Sequence, residues 1–267
     1  MFIPIAKKFN TVSEACRIFG VSYLGGINTS AKIEKNKKVS GHYTYIIYLA
    51  PANTSGINVC PRSTPECRKG CLATSGRAGM ELNLDKKRIM ESRIKKTRLF
   101  HSNPTYFISW VAEEIRRART KAQKDGYAFS VRLNGTSDID YTQILVDGKN
   151  IFELFPDVTF YDYTKVPERF NNKPDNYHLT LSYTGRNWRE CANMLKKGYN
   201  VAAVFNVGKN APLPEFHKGY EVIDGDITDL RVGEKSGVII GLRWKDIGNK
   251  DLNHEIKNSI FVIQSNV

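Results

Sequence analysis

The chain has 267 residues, of which 41% are hydrophobic and 25% are charged, and its formal net charge is +13 at pH 7. This length and hydrophobic content allow a substantial core, whereas the longest apolar run is far shorter than the roughly 18 residues of a membrane-spanning helix. Residues 1–8 lack the layout of a signal peptide, and five cysteines are an odd number for a secreted disulfide scaffold. We therefore expect a soluble cytoplasmic protein with reduced thiols and no membrane partner.

Helices and strands are predicted in chain order from apolar spacing, capping residues and β-branched runs. A short helix is predicted over residues 10–20, and a polar, lysine-rich connection follows it. The first strand is predicted over 43–50, and two long helices follow it, divided at Asn103-Pro104 and ending near Lys124. Further strands are predicted over 127–133, 158–163, 177–183, 199–205, 220–223, 237–242 and 260–263, with a helix over 188–197.

Several of these strands are continuous apolar runs, such as Val201 to Phe205, which is typical of a parallel sheet buried on both faces. Seven or eight βα steps predict an α/β fold with mostly parallel strands, either a (β/α) barrel or a partial barrel, and an open doubly wound sheet is the alternative. The simplest division is a single domain over 1–267, with an N-terminal extension over 1–42, a barrel-like core over 43–245 that carries the cysteine loop 60–71, and a C-terminal segment over 246–267.

The cysteine loop after the first strand is the most distinctive segment of the chain. It contains Cys60, Cys67 and Cys71, three of the five cysteines, within twelve residues. Thiolates are soft ligands that select iron–sulfur clusters or zinc, and the prolines and the glycine of the loop suit a tight wrapping turn. We therefore expect an iron–sulfur cluster, of the 4Fe-4S type. Zinc with a ligand from elsewhere, and plain thiols or a disulfide, are the alternatives.

Positive charge is concentrated in the two predicted long helices. Seven of the thirteen residues from Lys86 to Arg98 are basic, and acidic residues are sparse around them. Unpaired lysine and arginine side chains gain free energy by displacing the counterions of a polyanion. A phosphate-bearing partner, either nucleic acid (DNA or RNA) or a nucleotide, is therefore favoured over merely solvated helix faces. The residues expected to contact phosphates are Lys86, Lys87, Arg88, Arg93, Lys95, Lys96, Arg98, Arg116, Arg117 and Arg119.

Polar residues follow several predicted strands directly. Because the carboxyl ends of parallel strands share one edge of a sheet, we expect a candidate active site formed by Asp138, Asp162, Lys165 and Asp224. A lysine three residues after an aspartate at a strand end suits phosphate binding beside a base or a metal ligand, although a simple salt bridge is an equal alternative. Asp138 alternatively caps a helix, and Asp224 alternatively belongs to an ordinary turn.

A set of segments in this order also carries a family resemblance: Leu49-Ala50-Pro51, Cys60-Pro61, Cys67, Cys71-Leu72, Gly76-Arg77, Lys96-Thr97-Arg98, Arg132 to Asp138, Phe160 to Lys165, Asn200 to Phe205, Asp224-Gly225-Asp226 and Asp229-Leu230-Arg231. Over roughly residues 23 to 245 the chain resembles a family of tailed-phage proteins labelled gene-product-88-like. The resemblance implies a phage or prophage origin, hence the cytoplasm of a host cell, and implies no reaction.

A second resemblance is architectural. The cysteine loop after the first strand is similar in position to the cluster loop of radical S-adenosylmethionine enzymes, which are (β/α) barrels with three cluster cysteines and one iron open to the cofactor. That resemblance implies binding of S-adenosylmethionine. The spacing departs from that of the family, which is three residues and then two, because six and then three residues separate these cysteines, and no Gly-Gly-Glu follows the second strand.

Three functions follow from these patterns. The first is an iron–sulfur enzyme that binds nucleic acid and modifies nucleotides or cleaves a strand. The second is a nucleic-acid-binding protein without catalysis, in which a cluster or zinc stabilises a loop. The third is a phage factor that binds a host protein through its basic surface.

Overall fold

The structure is a computed structural model that describes residues 12–27, 31–71, 84–246 and 250–264. Its helices are α1 Val12–Phe19, α2 Ala31–Ser40, α3 Pro65–Lys69, α4 Leu84–Ser102, α5 Pro104–Lys124, α6 Ile151–Leu154, α7 Trp188–Lys196 and α8 Lys250–Lys257. Its strands are β1 Gly25–Gly26, β2 His42–Ile47, β3 Ala128–Arg132, β4 Thr159–Thr164, β5 Tyr177–Ser182, β6 Val201–Phe205, β7 Phe216–His217, β8 Tyr220–Asp224, β9 Ile239–Arg243 and β10 Val262–Ile263. Within the described ranges, no helix is long and apolar enough to cross a bilayer.

The strands form a mostly parallel sheet in the order β1-β2-β3-β4-β5-β6-β9-β8-β7, with β10 beside β6. Only the pairs β1–β2 and β7–β8 are antiparallel among the pairings defined for the described residues. The predicted α/β class with mostly parallel strands is therefore confirmed. The hydrogen-bonded path runs from β1 to β7 without closing on itself in the described part of the chain, and β9 lies between β6 and β8 rather than following the chain order.

Every strand predicted from the sequence is present, with ends that differ by a few residues. Helix α2 was not predicted, because its sequence reads as a polar, lysine-rich connection. Its buried face consists of Ile33 and Asn36, and the Asn36 side-chain amide donates a hydrogen bond of 3.1 Å to the Thr44 hydroxyl of β2. A helix that buries a polar side chain against a strand lacks the apolar stripe on which the prediction depends.

The chain divides into two compact units. The first unit comprises residues 1–61, 87–160 and 173–177 and contains β1, β2 and β3. Helix α5 begins where the Asn103 side chain accepts a hydrogen bond from the Tyr106 N–H, with Pro104 as its first residue. It buries Phe107, Val111 and Ile115 at helical spacing, each of which stabilises the unit by about 1.5–3 kcal/mol relative to an exposed side chain.

The second unit comprises residues 62–86, 161–172 and 178–267. Strand β6 lies between β5 and β9, and its residues are buried on both faces, as the apolar run predicted. Helix α7 buries Cys191 completely, and burial raises the pKa of this thiol to about 12. Cys191 is therefore a small core residue that stays protonated.

Candidate functional site

In the first unit, the loops that follow β2 and β3 are joined by hydrogen bonds. The Gly135 N–H donates to the Ile47 carbonyl at 3.0 Å, and the Asp138 N–H donates to the Val59 carbonyl at 2.8 Å. The Thr136 hydroxyl also donates to the Leu49 carbonyl. The segment that leads into the cysteines is thus held beside the Asp138 loop, as expected for two neighbouring parallel strands.

Gly135 explains how the two loops approach so closely. A Cβ atom at this position would lie 2.5 Å from the Ile47 carbonyl oxygen and 2.8 Å from the Tyr48 ring. Any other residue would therefore force the backbone of one loop away from the other. Glycine is required here by the close approach of two chains rather than by an unusual backbone angle.

Asn134 organises the turn that contains Asp138. Its side-chain oxygen accepts hydrogen bonds from the Ser137 hydroxyl at 2.8 Å and from the Ile139 N–H at 2.9 Å, while its amide donates to the Ile139 carbonyl at 3.0 Å. The Asn134 side chain thus holds the turn together. Asp138 is only 5% exposed. It is the residue of this turn that we retain as a candidate catalytic group.

Cys60 lies at the same end of β2. Its thiol donates to the Thr136 carbonyl at 3.7 Å, and its backbone N–H donates to the Asn58 side-chain oxygen at 2.9 Å. Its side chain is half-buried. Cys60 is therefore next to the Asp138 turn, which brings a predicted metal ligand and a predicted catalytic acid together within the first unit.

Cys67 and Cys71 lie in and after helix α3 of the second unit. Thr64 caps this helix by accepting a hydrogen bond from the Cys67 N–H at 3.2 Å, and Pro65 is its first residue. Lys69 forms an ion pair with Glu255 of α8. Both thiols are half-buried, and none of the five cysteines, all within the described ranges, forms a disulfide.

Three thiols in one twelve-residue segment fit a thiolate-bound cluster or zinc in their chemistry. In the described ranges, however, no group of three or more His, Cys, Asp or Glu side chains is arranged to hold a metal ion. The convergence of Cys60, Cys67 and Cys71 on one centre therefore stays a prediction.

The other predicted catalytic residues belong to the second unit. Asp162 on β4 is 1% exposed and Lys165 just after it is half-buried, and each has a polar or electrostatic partner. Asp224 ends β8, where both of its carboxylate oxygens lie 2.9 Å from Nη1 of Arg243.

Asp226 joins the same network of charges. The Arg243 N–H donates to its carboxylate at 2.9 Å, and the Lys245 ammonium lies 3.1 Å from it. Burial alone would raise the pKa of Asp226, but the Arg243 hydrogen bond and Lys245 outweigh it and hold the pKa below the usual value. The carboxylates of Asp224 and Asp226 are thus balanced by cations of the same unit.

Helix α4 carries cations on two opposite faces. Arg88, Lys95 and Arg98 are exposed on one face, and none of them pairs with an acidic residue in the described ranges. We call these three residues the outer basic face. The side chains of Lys86 and Lys87, also predicted to contact phosphates, lie outside the described residues.

On α5 the predicted cations are largely paired. Arg116 forms an ion pair with Glu113, and Arg119 forms one with Asp157, whereas Arg117 is exposed. The outer basic face is therefore the stronger candidate for phosphate contact.

The remaining two cations of α4 turn inwards. Arg93 lies over the Tyr48 ring, with the guanidinium carbon 5.0 Å from the ring centroid, and Lys96 is only 6% exposed. Both were expected to contact phosphates together with the other cations of this helix, because charge alone does not reveal which face of a helix is covered. Arg132 at the end of β3 is likewise 4% exposed and was not among the predicted site residues.

A comparison with protein families gives one match. The family model described as Gene product 88 matches residues 24–259, which is most of the chain and includes both loops described above. No curated protein and no solved structure matches the chain, and the architectural resemblance to radical S-adenosylmethionine enzymes stays an expectation. The chain therefore belongs to the Gene product 88 family of phage proteins.

Proposed function

We propose that this phage protein is an iron–sulfur protein of the host cytoplasm that binds nucleic acid and acts on it, by nucleotide modification or strand cleavage, at the carboxyl ends of its parallel strands. One observation carries the proposal. At the end of β2, the first unit brings together Cys60, the buried Asp138 and, through Thr97, helix α4, whose solvent-exposed side carries the outer basic face. A (β/α) barrel or partial barrel, rather than an open sheet, is part of the same proposal.

The joining of helix α4 to this end of β2 supports the proposal. The Thr97 hydroxyl accepts a hydrogen bond of 2.9 Å from the Ala50 N–H and donates one of 2.9 Å to the Arg93 carbonyl. Thr97 is completely buried, so these bonds fix the helix against the segment that leads to Cys60. A polyanion held on the outer basic face would thus lie on the same unit as the strand end.

Cys60, Cys67 and Cys71 would hold the cluster, with zinc as the alternative. A cluster with only three protein ligands has one iron open to a further ligand, such as a substrate or S-adenosylmethionine, and supplies that reactive position when bound. The hydrogen bond from the Cys60 N–H to Asn58 would hold the backbone of this residue in place, whereas the bond from its thiol to the Thr136 carbonyl would be lost when the deprotonated sulfur binds metal.

The protein's own groups have separate roles in this proposal. Arg88, Lys95 and Arg98 bind backbone phosphates, and Asp138 accepts a proton from a group of the bound nucleotide. Asp162, Lys165 and Asp224 are the predicted catalytic groups of the second unit. Of these, Lys165 is suited to bind a phosphate and Asp162 is suited to act as a general base. Asp224 already forms an ion pair with Arg243.

The test is the salt dependence of nucleic-acid binding. Fluorescence anisotropy with labelled single- and double-stranded DNA and RNA should give affinities that fall steeply as salt rises. Each phosphate contact contributes roughly 0.9 to the slope of log K against log salt on duplex DNA, so replacing Arg88, Lys95 and Arg98 by Gln should reduce that slope by up to roughly 3.

The matched control removes three other exposed cations, Lys124, Lys149 and Lys196, by the same change to Gln. This control has the same net charge as the α4 variant but keeps the outer basic face, so its slope should be that of the wild type. An equal loss in both variants would mean that only overall charge matters. Absence of binding at low salt would overturn the proposal and favour a host protein as the partner.

A further inference from the structure

The inward-facing lysine of helix α4 is the most unusual polar group of the first unit. Lys96 is 6% exposed, and its ammonium lies 4.3 Å from the centroid of the Tyr23 ring. In the described ranges this ammonium makes no hydrogen bond and no ion pair within 4 Å. A buried ammonium with three donors and no acceptor is an unfavourable arrangement unless something else completes it.

The charges around Lys96 do not complete it. Glu114 of α5 is the acid that faces it, and Arg93 of the same helix is a cation that repels it. The Glu114 carboxylate is already used by three other donors, which are the N–H groups of Leu24 and Gly25, each at 2.9 Å, and the hydroxyl of Tyr45. Glu114 therefore fixes the chain at the start of β1, and it makes no direct hydrogen bond with the Lys96 ammonium among the described residues.

Burial is the dominant effect on this lysine. It lowers the pKa of Lys96 to about 8, with Glu114 opposing the change and Arg93 adding to it. Without a ligand, burial thus disfavours the charged form of Lys96. An anion in contact with the ammonium would favour the charged form, because it would supply an acceptor that the described residues do not provide.

The aromatic neighbours indicate which anion fits. The Tyr23 ring covers Lys96 on one side but is itself 52% exposed, so an outer part of the ring is open to a ligand. Arg93, one turn before Lys96, lies over a second ring, that of Tyr48. Two cations one turn apart suit a dianionic phosphate, and an exposed ring suits stacking with a base.

We propose that Lys96, together with Arg93 and the exposed Tyr23 ring, binds the phosphate group of a nucleotide. The phosphate contacts the Lys96 ammonium, and the base stacks on Tyr23. This inference depends neither on the cluster nor on the outer basic face, so it stands or fails separately from the proposed function. The phosphate belongs either to a free nucleotide or to a nucleic-acid chain, and the experiment separates these sources.

The first experiment measures the labelling of Lys96 in the wild-type protein. Competitive acetylation is carried out in steps of roughly one pH unit from about pH 6 to about pH 11, which covers the pH range in which lysine titrates. Mass spectrometry of the products should give a Lys96 labelling profile with a midpoint near pH 8. A bound phosphate should move this midpoint upwards, because an anion favours the charged form. Lys124, exposed at the end of α5 in the same unit and outside the outer basic face, is the internal control, and its labelling should not change with ligand.

Four ligands separate the outcomes: inorganic phosphate, a nucleoside monophosphate, the corresponding nucleoside, and a short single-stranded oligonucleotide. Protection by the monophosphate that exceeds protection by phosphate supports the site and its stacking contact. Protection by the oligonucleotide alone supports it with a nucleic-acid phosphate as the ligand. Equal protection by the nucleoside, or no protection by any ligand, would overturn it.

Substitutions give an independent measurement. Lys96→Met keeps the apolar stem and removes the ammonium, so the affinity for the protecting ligand should fall about tenfold or more, whereas Lys124→Met should leave it unchanged. Lys96→Arg should restore part of the affinity, because it restores the charge. Unchanged affinity in Lys96→Met would contradict the proposal. If that variant does not fold, the labelling of the wild-type protein decides the question.

Discussion

The buried Lys96 gives a quantitative prediction about stability and pH. Its pKa falls from 10.5 to about 8 on folding, so the folded state binds fewer protons than the unfolded state between these two pH values. The free energy of unfolding therefore rises with pH across this window. A shift of this size corresponds to about 3 kcal/mol, which is the cost of keeping the charge buried below pH 8 and which disappears as pH approaches 10.5.

Lys96→Met removes this contribution entirely. Below pH 8 the variant should gain stability relative to the wild type from the absence of the buried charge, and this gain should decrease by about 3 kcal/mol as pH rises to 10.5. Urea unfolding followed by circular dichroism, at closely spaced pH values for both proteins, measures the difference directly. Titrations common to both proteins cancel in that difference.

Lys95→Met is the control, because Lys95 is exposed on the other face of α4. Its stability difference from the wild type should not follow this pH profile. The free energies of unfolding of Lys96→Met and the wild type are compared from about pH 7 to about pH 11, the range in which lysine titrates. A difference that stays constant over this range would refute the reasoning. It would mean that the ammonium finds an acceptor or reaches water in the folded protein.

Three further predictions concern the loops at the end of β2. Gly135→Ala should destabilise the protein by about 1–3 kcal/mol because its Cβ meets a backbone carbonyl at 2.5 Å, whereas Gly208→Ala, with no neighbour nearer than 3.8 Å, should be nearly neutral in thermal unfolding. Thr97→Val should cost about 1–3 kcal/mol in urea unfolding because the buried Ala50 N–H loses its acceptor, and Thr97→Ser should retain most of the stability. Asp138→Asn should keep nucleic-acid affinity but lose any cleavage or modification detected by gel and nucleoside mass spectrometry; retained turnover would exclude Asp138 as the acid–base group.

The elements of the sheet were largely predictable from local sequence. Strand β6 was predicted from a continuous apolar run because both of its faces are covered, and that local signal does not depend on which strands are its neighbours. The position of β9 between β6 and β8 was not predictable, because strand order depends on pairing between residues far apart in the chain. Helix α2 was missed because Asn36 occupies a buried position that the pattern assigns to solvent.

The candidate site was predictable only in part, because residues at strand ends can be recognised from local sequence whereas burial cannot. Cys60 and Asp138 were both expected at a strand end, and parallel pairing of β2 with β3 brings their loops together. The burial of Lys96 was hidden, because its charge is the same as that of Lys95 and only the packed structure distinguishes the two faces of α4. The prediction of the metal ligands rests on residue type and spacing. These indicate the class of ligand but do not fix the positions of the three sulfur atoms.

The proposed cluster is tested by measuring the iron, sulfide and zinc content of anaerobically purified protein together with its visible absorption spectrum. We expect a coloured protein with several irons and sulfides per chain. Cys60→Ala, Cys67→Ala and Cys71→Ala should each lose the metal and the colour, whereas Cys16→Ala and Cys191→Ala should keep them. A colourless protein without iron, or iron retained in any of the first three variants, would contradict the proposal. One zinc per chain would leave the cysteines as ligands but remove the iron–sulfur chemistry from the proposed function.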